Sequence, residues 1–436
     1  MRWLSIIGAA TALATSAAAL EPITVKGNAF FAGNERWYIR GVDYLPGGPS
    51  KLVDPLADPK ICKRDIEYFK ELGLNAIRVY TIDNSLDHDE CMKALEEAGI
   101  YLILDVNTPT RSINRSNPKS TYNEVYLQHV FATIDVMGKY DNTALFFSAN
   151  EVVNDKTTTP AITYVKAVTR DMKNYISKHL KRPIPVGYSA ADVEENRVQQ
   201  ALYLNCGDDE AARSDFFAFN DYSWCGPSSF KESGWDKKVE TYKDYSIPLF
   251  LSEYGCNNVR PDARPFTEVK SLYSTDMTSV FSGGLVYEYS EEENNYGLVE
   301  IENGKVETTE DYDNLKKQFA STKNPTGDGK YKTNGKPSQC PKFEKGKWEA
   351  QDELPEFPKK AEKLMKEGAG KPLGNPKTPI GGDDPEDKAD NGNAGEEDGG
   401  EKGEGEEEED ESGAAGVVRW SVGAVAAVVG AVVAVV

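Results

Sequence analysis

TALFFSANE, residues 143–151, is the stretch on which the fold turns. Ala144, Leu145, Phe146 and Phe147 form an apolar run without alternation, the pattern of a strand buried on both faces. It then gives way to Asn150 and Glu151, followed by VVND (152–155). An acid at that place is either a solvated loop residue or part of a site at a strand's end. The rest of the chain decides between the two.

Seven further runs read the same way: WYIRGVDY (37–44), NAIRVYTI (75–82), YLILDVNT (101–108), PIPVGYSA (183–190), FFAFNDYSW (216–224), IPLFLSEYG (247–255) and GGLVYEYS (283–290). Between them lie amphipathic helical patterns such as CKRDIEYFKELG (62–73), DECMKALEEAG (89–99), YVKAVTRDMKNYISKHL (164–180) and FTEVKSLYSTDMTSVF (266–281). Strands alternating with helices predict an α/β fold, a (β/α)8 TIM barrel. The alternative, an open doubly wound sheet, lacks the G-x-G-x-x-G that would support it. In a barrel, active sites collect where the strands end at their C-terminal face. Those ends carry Asp43 and Tyr44, Arg78 and Tyr80, Asp105 and Asn107, Asn150 and Glu151, Tyr188 with Asp192, Asn220 and Tyr222, Glu253 and Tyr254, and Tyr287. Any one of these is ordinary; the collection at one rim predicts a site.

Glu151 ends the fourth predicted strand and Glu253 the seventh, which face each other across a closed eight-stranded mouth. Two carboxyls so placed are what glycosidic bond cleavage requires: one gives a proton to the leaving oxygen, the other attacks the anomeric carbon or activates water. A gap of roughly 5–5.5 Å implies retention and a wider one inversion. The amide of Asn150 suits a sugar 2-hydroxyl. Tyr222 or Tyr254 is placed to orient the nucleophile, and Tyr80, Tyr222 and Tyr287 to offer flat faces to pyranose rings. The acid's pKa is expected to be raised and the nucleophile's lowered. No metal is expected, because the three histidines, 88, 129 and 179, stand in no strand-end motif. No cofactor is implied.

The chain has 436 residues and a net charge of −21, which argues against nucleic acid as a partner. Much of the acid lies in GGDDPEDKADNGNAGEEDGGEKGEGEEEEDE (381–411), a run without aromatic or β-branched residues that predicts a disordered stalk. MRWLSIIGAATALATSAAA (1–19) reads as a secretory signal peptide. The Val/Ala/Gly run from Val417 to Val436, with small residues Ser412 and Gly413 upstream, reads as a GPI-attachment signal (412–436), a membrane-spanning helix being the alternative. Cysteines at 62, 91, 206, 225, 256 and 340 suit an oxidising compartment and end at 340, so 20–340 is expected to be the folded unit and 341–411 a linker. Many pairings are open. Loops after neighbouring sixth and seventh strands favour Cys225–Cys256, consecutive helix starts favour Cys62–Cys91, and Cys206–Cys340 remains. Asn114, in NRS, is the one sequon, and a glycan there would crowd the loop after Asn107.

GVDYLPGG (41–48), RVYTID (78–83), SANEVVND (148–155), FNDYSWCG (219–226), FLSEYGCN (250–257) and YEYSEEENNYGLV (287–299) together resemble the fungal GPI-anchored β-1,3-glucanosyltransferases of glycoside hydrolase family 72. The resemblance spans about residues 21–340. It implies Glu151 as acid/base and Glu253 as nucleophile. It implies sugar subsites lined by Tyr80, Asp105, Asn107, Asn150, Asp192, Arg197 and Tyr287, with Tyr222 joining Tyr80 as an acceptor platform. The implied partners are β-1,3-glucan donor and acceptor chains and, through the anchor, the outer face of the plasma membrane. Leu45 stands where many members have Gln, which removes one hydrogen-bonding group from the motif. With no cysteine after 340, the cysteine-rich carbohydrate-binding module of some members is not expected. An endo-β-1,3-glucanase that uses water as acceptor is the alternative activity.

Overall fold

The structure, a computed structural model, describes residues 20–48, 53–375 and 380. The expected signal peptide, the acidic run from 381 and the attachment segment with Ser412 and Gly413 lie outside the described residues. Among the described residues, no helix is long and apolar enough to cross a membrane.

The chain opens with three short antiparallel strands, β1 (Ile23–Lys26), β2 (Ala29–Ala32) and β3 (Glu35–Trp37). Eight parallel strands then close into a barrel: β4 (Ile39–Tyr44), β5 (Ala76–Val79), β6 (Tyr101–Asp105), β7 (Thr143–Asn150), β8 (Val186–Ala191), β9 (Phe216–Cys225), β10 (Leu249–Cys256) and β11 (Phe281–Val286). Each matches a predicted run. WYIRGVDY, however, divides: Trp37 closes the N-terminal sheet, and the barrel begins at Ile39. The split has a packing cause. Phe30 and Trp37 join Ile103, Leu145, Phe147, Phe216, Phe250 and Leu285 in one buried cluster inside the barrel. The ring of Phe30 lies 5.9 Å from those of both Phe216 and Phe250, so the small sheet plugs the end of the cylinder opposite the predicted site. Closure of β11 on β4 needs Gly283: at φ +89° a Cβ there would sit 2.1 Å from the Ile39 carbonyl oxygen.

Helices form the outer layer: α1 (Pro59–Leu72), α2 (Asp89–Glu97), α3 (Pro118–Thr121), α4 (Glu124–Met137), α5 (Ile162–His179), α6 (Arg197–Leu204), α7 (Trp235–Tyr242) and α8 (Glu268–Leu272). The first shows why they start and stop where they do. The Asp58 side chain accepts from the Lys60 N–H, Pro59 opens the first turn, and Gly73 ends the helix in the left-handed region at φ 70°. The predicted helix over 266–281 shortens to α8. Ser274, Thr275 and Asp276 follow it, residue types whose side chains compete for backbone groups, and the chain continues through turn bonds such as Met277 N–H to Ser274 O at 3.1 Å.

A hairpin of β12 (Val299–Glu302) and β13 (Lys305–Thr308) and the helix α9 (Glu310–Ser321) complete the layer. Disulfides join Cys62 to Cys91, Cys206 to Cys340 and Cys225 to Cys256. Order does not end at 340, as the last cysteine suggested. Residues 341–375, including α10 (Glu362–Glu367), run as a strap over the barrel's flank. Trp348 is buried edge-on against Tyr203, the Gln351 N–H bonds Thr163 Oγ1 at 2.9 Å, and the Ala369 N–H bonds the Tyr175 hydroxyl at 2.8 Å. A further anchor is the Gly374 N–H on Asn84 Oδ1 at 2.9 Å, in the loop after β5. The strap escapes periodicity because its buried apolar anchors, Trp348, Ala350, Ala361 and Ala369, are few and irregularly spaced among polar residues and glycines.

Candidate active site

The C-terminal ends of the parallel strands bring Glu151 and Glu253 to the same mouth. Glu253 lies on β10 in register with Asn220 on β9. Glu151 stands one residue past β7, where the chain turns into the left-handed region at φ 48°, a conformation seldom taken by a residue with a side chain. Its N–H is held by the Ser189 carbonyl at 2.8 Å and its own carbonyl by Arg115 Nη2 at 2.9 Å. Asn220 holds the first of the two acids: its Nδ2 donates to Glu151 Oε1 at 2.8 Å.

Glu253 is 8 % exposed and clamped. The Tyr80 hydroxyl donates to Oε1 and the Tyr222 hydroxyl to Oε2, each at 2.7 Å. Arg78 Nη1 reaches Oε1 at 3.3 Å. Arg78 is itself fully buried at the hub. Its Nε donates to Asp105 Oδ2 at 2.8 Å and its Nη2 to Asn150 Oδ1 at 3.0 Å, while Asp43 Oδ1 lies 3.9 Å from Nη1. The guanidinium also stacks over Tyr80, 4.0 Å from the ring centre, a favourable contact for a desolvated cation.

Burial pushes Glu253 up, to about 7, and the Glu151 charge adds to the push; Arg78 and the two tyrosine hydroxyls pull the other way. The expected lowering is therefore not found: desolvation of a carboxylate at the floor of the mouth outweighs three donors. Asp43 and Asp105 are also raised, burial again coming first.

Of the remaining predicted residues, Tyr287 follows β11 and packs edge-on against Tyr222 and against Tyr296, which forms the same aromatic wall. Asn107 follows β6 with its Oδ1 buried and without a hydrogen-bond partner. Asp192 and Arg197 belong to a second cluster. They contact each other at 2.8 Å, and Lys238 Nζ bridges Asp192 and Asp221 at 2.7 and 2.5 Å. Tyr254 is not beside Glu253. Strand side chains alternate, so while Glu253 faces the barrel axis, Tyr254 faces the helices and is fully buried there. Leu45 is buried. Asn114 is exposed, and its Oδ1 accepts from the N–H groups of Ser116 and Asn117 at 2.9 and 3.1 Å.

Asn220 and Arg78 stand in the predicted rim without an assigned role, and Ser189, Ser252 and Glu288 are not in it. Asn220 and Arg78 were readable as strand-end polar residues. Ser189 and Ser252 carry no signal among apolar neighbours. Glu288 is fully buried, takes a bond from Asn294 Nδ2 at 2.7 Å and is pushed up to about 8, chiefly by burial.

Several buried acids share this direction. Glu253 and Glu268 are raised to about 7, Glu288 to about 8 and Asp171 to about 6, each mainly by desolvation. Above its unfolded pKa and below its folded one, such a group is protonated in the native protein and ionised in the unfolded chain. Stability therefore falls as pH rises through that window. Thermal melts are expected to show a Tm lower by about 5 °C at pH 8 than at pH 5.5. A flat or rising profile would contradict this placement of the acids.

Comparison with known proteins agrees with the geometry. The family profile Glyco_hydro_72, described as Glucanosyltransferase, matches residues 12–323. The chain is 60 % identical over 370 residues to 1,3-beta-glucanosyltransferase gel1 of Aspergillus fumigatus, covering 84 % of this chain and 81 % of that one. It is 56 % identical over 369 residues to 1,3-beta-glucanosyltransferase GAS5 of Saccharomyces cerevisiae, covering 84 % and 76 %. Among solved structures, a Glu-to-Gln mutant of Saccharomyces cerevisiae Gas2p in complex with laminaritetraose and laminaripentaose superposes with a TM-score of 0.73 at 42 % identity, covering 79 % of this chain and 77 % of that one. With a profile match over most of its length and relatives well above half identical, the chain belongs to the glucanosyltransferase family Glyco_hydro_72, the transglycosylating enzymes of glycoside hydrolase family 72.

Proposed function

We propose that this enzyme cleaves an internal bond of a β-1,3-glucan and transfers the new reducing end to the 3-hydroxyl at the non-reducing end of a second chain. Configuration is retained and the glucan lengthens. The observation that carries this reading is the pairing at the mouth: a carboxylate gripped by Tyr80, Tyr222 and Arg78, and a second carboxyl tied to its neighbourhood by Asn220. Glu253 attacks the anomeric carbon, and Glu151 gives its proton to the leaving glycosidic oxygen. The bond between that carbon and oxygen breaks, and a covalent glycosyl–Glu253 ester forms. Glu151, now a base, takes the proton of the incoming 3-hydroxyl as the ester is displaced. Attack needs Glu253 in its charged form, which Arg78, Tyr80 and Tyr222 favour and burial opposes.

Tyr287, Asn107 and Asn150 would line the donor groove, while Asp105, buried with both oxygens on Arg78, would act through that guanidinium. Tyr80 and Tyr222 combine two duties: their hydroxyls hold Glu253 and their rings offer faces to sugar. Asp192 and Arg197, held by Lys238, would contribute further along the groove. In the cell the enzyme would work in the secretory pathway and at the outer surface of the plasma membrane, on cell-wall glucan. An Asn114 glycan would stand one residue from Arg115, which touches the Glu151 carbonyl.

Preference for sugar over water by a hundredfold needs about 2.7 kcal/mol of barrier difference, within the reach of an acceptor oriented by ring stacking. The test is product sizing on a reduced laminari-oligosaccharide. Products longer than the substrate are expected; only shorter ones would assign an endo-glucanase. Glu151→Gln with wild-type elongation would remove the mechanism.

A further inference from the structure

Behind Glu151 lies a directed run of side-chain hydrogen bonds that crosses three strands. The Ser189 hydroxyl on β8 donates to Ser252 Oγ on β10 at 2.8 Å. The Ser252 hydroxyl donates to Asn220 Oδ1 on β9 at 2.8 Å, with Ser189 Oγ also 3.2 Å from that oxygen. Asn220 Nδ2 donates to Glu151 Oε1 at 2.8 Å and approaches Asn150 Oδ1 at 3.4 Å. Ser189, Ser252 and Asn220 are all buried.

The chemistry sets the direction. A flipped Asn220 amide would press its carbonyl against the Glu151 carboxyl and against Asn150 Oδ1, an oxygen already accepting from Arg78 Nη2 at 3.0 Å. It would also turn its NH2 toward two hydroxyls that have each other to bond. The serines therefore fix the carbonyl end of the amide, which aims the N–H end at Glu151. In a carboxylic acid the oxygen that carries the hydrogen is much the weaker acceptor, so a hydrogen on Oε1 would weaken the bond from Asn220 Nδ2 while one on Oε2 would keep it. The hydrogen is therefore favoured on the other carboxyl oxygen.

We propose that Ser189, Ser252 and Asn220 form a positioning chain that confines the transferable proton of Glu151 to Oε2. The inference rests on the acid/base reading of Glu151. Asn220 touches neither the leaving oxygen nor the attacking atom; it acts through Glu151. The charged and titratable groups around Glu151 are Glu253 on β10, Tyr188 on β8, Arg115 on its carbonyl, and Arg78 by way of Asn150. None of them supplies the bond that Asn220 makes to Oε1.

The experiment compares two donors and the pH profile in the full enzyme. On β-1,3-glucan, Asn220→Ala is expected to lower kcat about 100-fold with KM within about threefold. It should move the alkaline limb of the profile upward by about one pH unit, because an N–H donor that favours the carboxylate is gone. On a dinitrophenyl laminari-oligosaccharide, whose leaving group needs no proton, first-turnover release by Asn220→Ala should lie within about threefold of wild type. Ser252→Ala, a milder change, should move the limb in the same direction by less. An unmoved limb in both variants, with equal losses on both donors, would overturn the proposal and leave Asn220 a purely structural residue. Glu151→Gln serves as the control. Its rescue on the activated donor supports the acid/base reading independently; failure of that rescue would sink that reading and the inference with it.

Discussion

Glu253→Gln is expected to abolish elongation, with kcat lowered by about 10⁴-fold or more, the scale seen when a catalytic nucleophile is removed. That loss corresponds to about 5 kcal/mol of transition-state stabilisation. The amide keeps the volume of the side chain and can still accept from one tyrosine hydroxyl, but it offers no lone pair of comparable nucleophilicity to the anomeric carbon. The fold should survive. In the native protein Glu253 is desolvated and pushed up to about 7, so its ionisation works against folding at pH 8. The Gln variant is therefore expected to melt no lower than wild type at pH 8. Product sizing beside a thermal melt checks both halves. A variant that keeps more than about a hundredth of the elongation rate would exclude Glu253 as nucleophile.

Arg78→Met should have the second large effect, on stability as well as on rate. Arg78 alone brings positive charge to Asp105 and Glu253 among the contacts described above, and Asp43, whose two oxygens have no hydrogen-bond partner, has the guanidinium 3.9 Å away. Removing one member of a buried ion cluster strands the rest, at a cost of about 3–5 kcal/mol. For a chain of this size that is a Tm lower by about 10 °C, with activity lost as Glu253 and Asn150 lose their common anchor. Arg78→Lys should rescue little, because a single ammonium cannot donate to Asp105, Asn150 and Glu253 from one rigid fork. The deficit should shrink toward pH 5, where the stranded carboxyls can take up protons. An Arg78→Met enzyme as stable as wild type at pH 8 would show that the three acids do not depend on it.

The barrel was legible because its strands are apolar on both faces, so TALFFSANE and its seven counterparts stand out as unbroken runs. The strand ends were legible for the complementary reason: a polar residue straight after such a run has few places to be except the rim. What escaped were contacts with no local period. Trp37 reads as part of the first barrel strand and belongs instead to the N-terminal sheet, whose purpose shows only when Phe30 is seen packing against Phe216 and Phe250. The strap after Cys340 holds by isolated residues such as Trp348. Side-chain direction was also hard to read. Tyr254 and Glu253 are neighbours in sequence and opposite in space, and the duty that could be given to either Tyr222 or Tyr254 is geometrically open only to Tyr222. The raised Glu253 shows the same limit. Its donors can be guessed from strand ends, but how much water the closed cylinder excludes cannot.

The strap ends at Gly374 on Asn84, in the loop that follows the strand leading to Tyr80, whereas the N-terminal sheet lies under the opposite end of the cylinder. Among the described residues the chain thus starts at the base, and its strap is tied beside the opening. A load borne by that tie would act close to the lip of the cleft, on the loop that carries Tyr80's strand into the helix layer, and not on the plugged base of the cylinder.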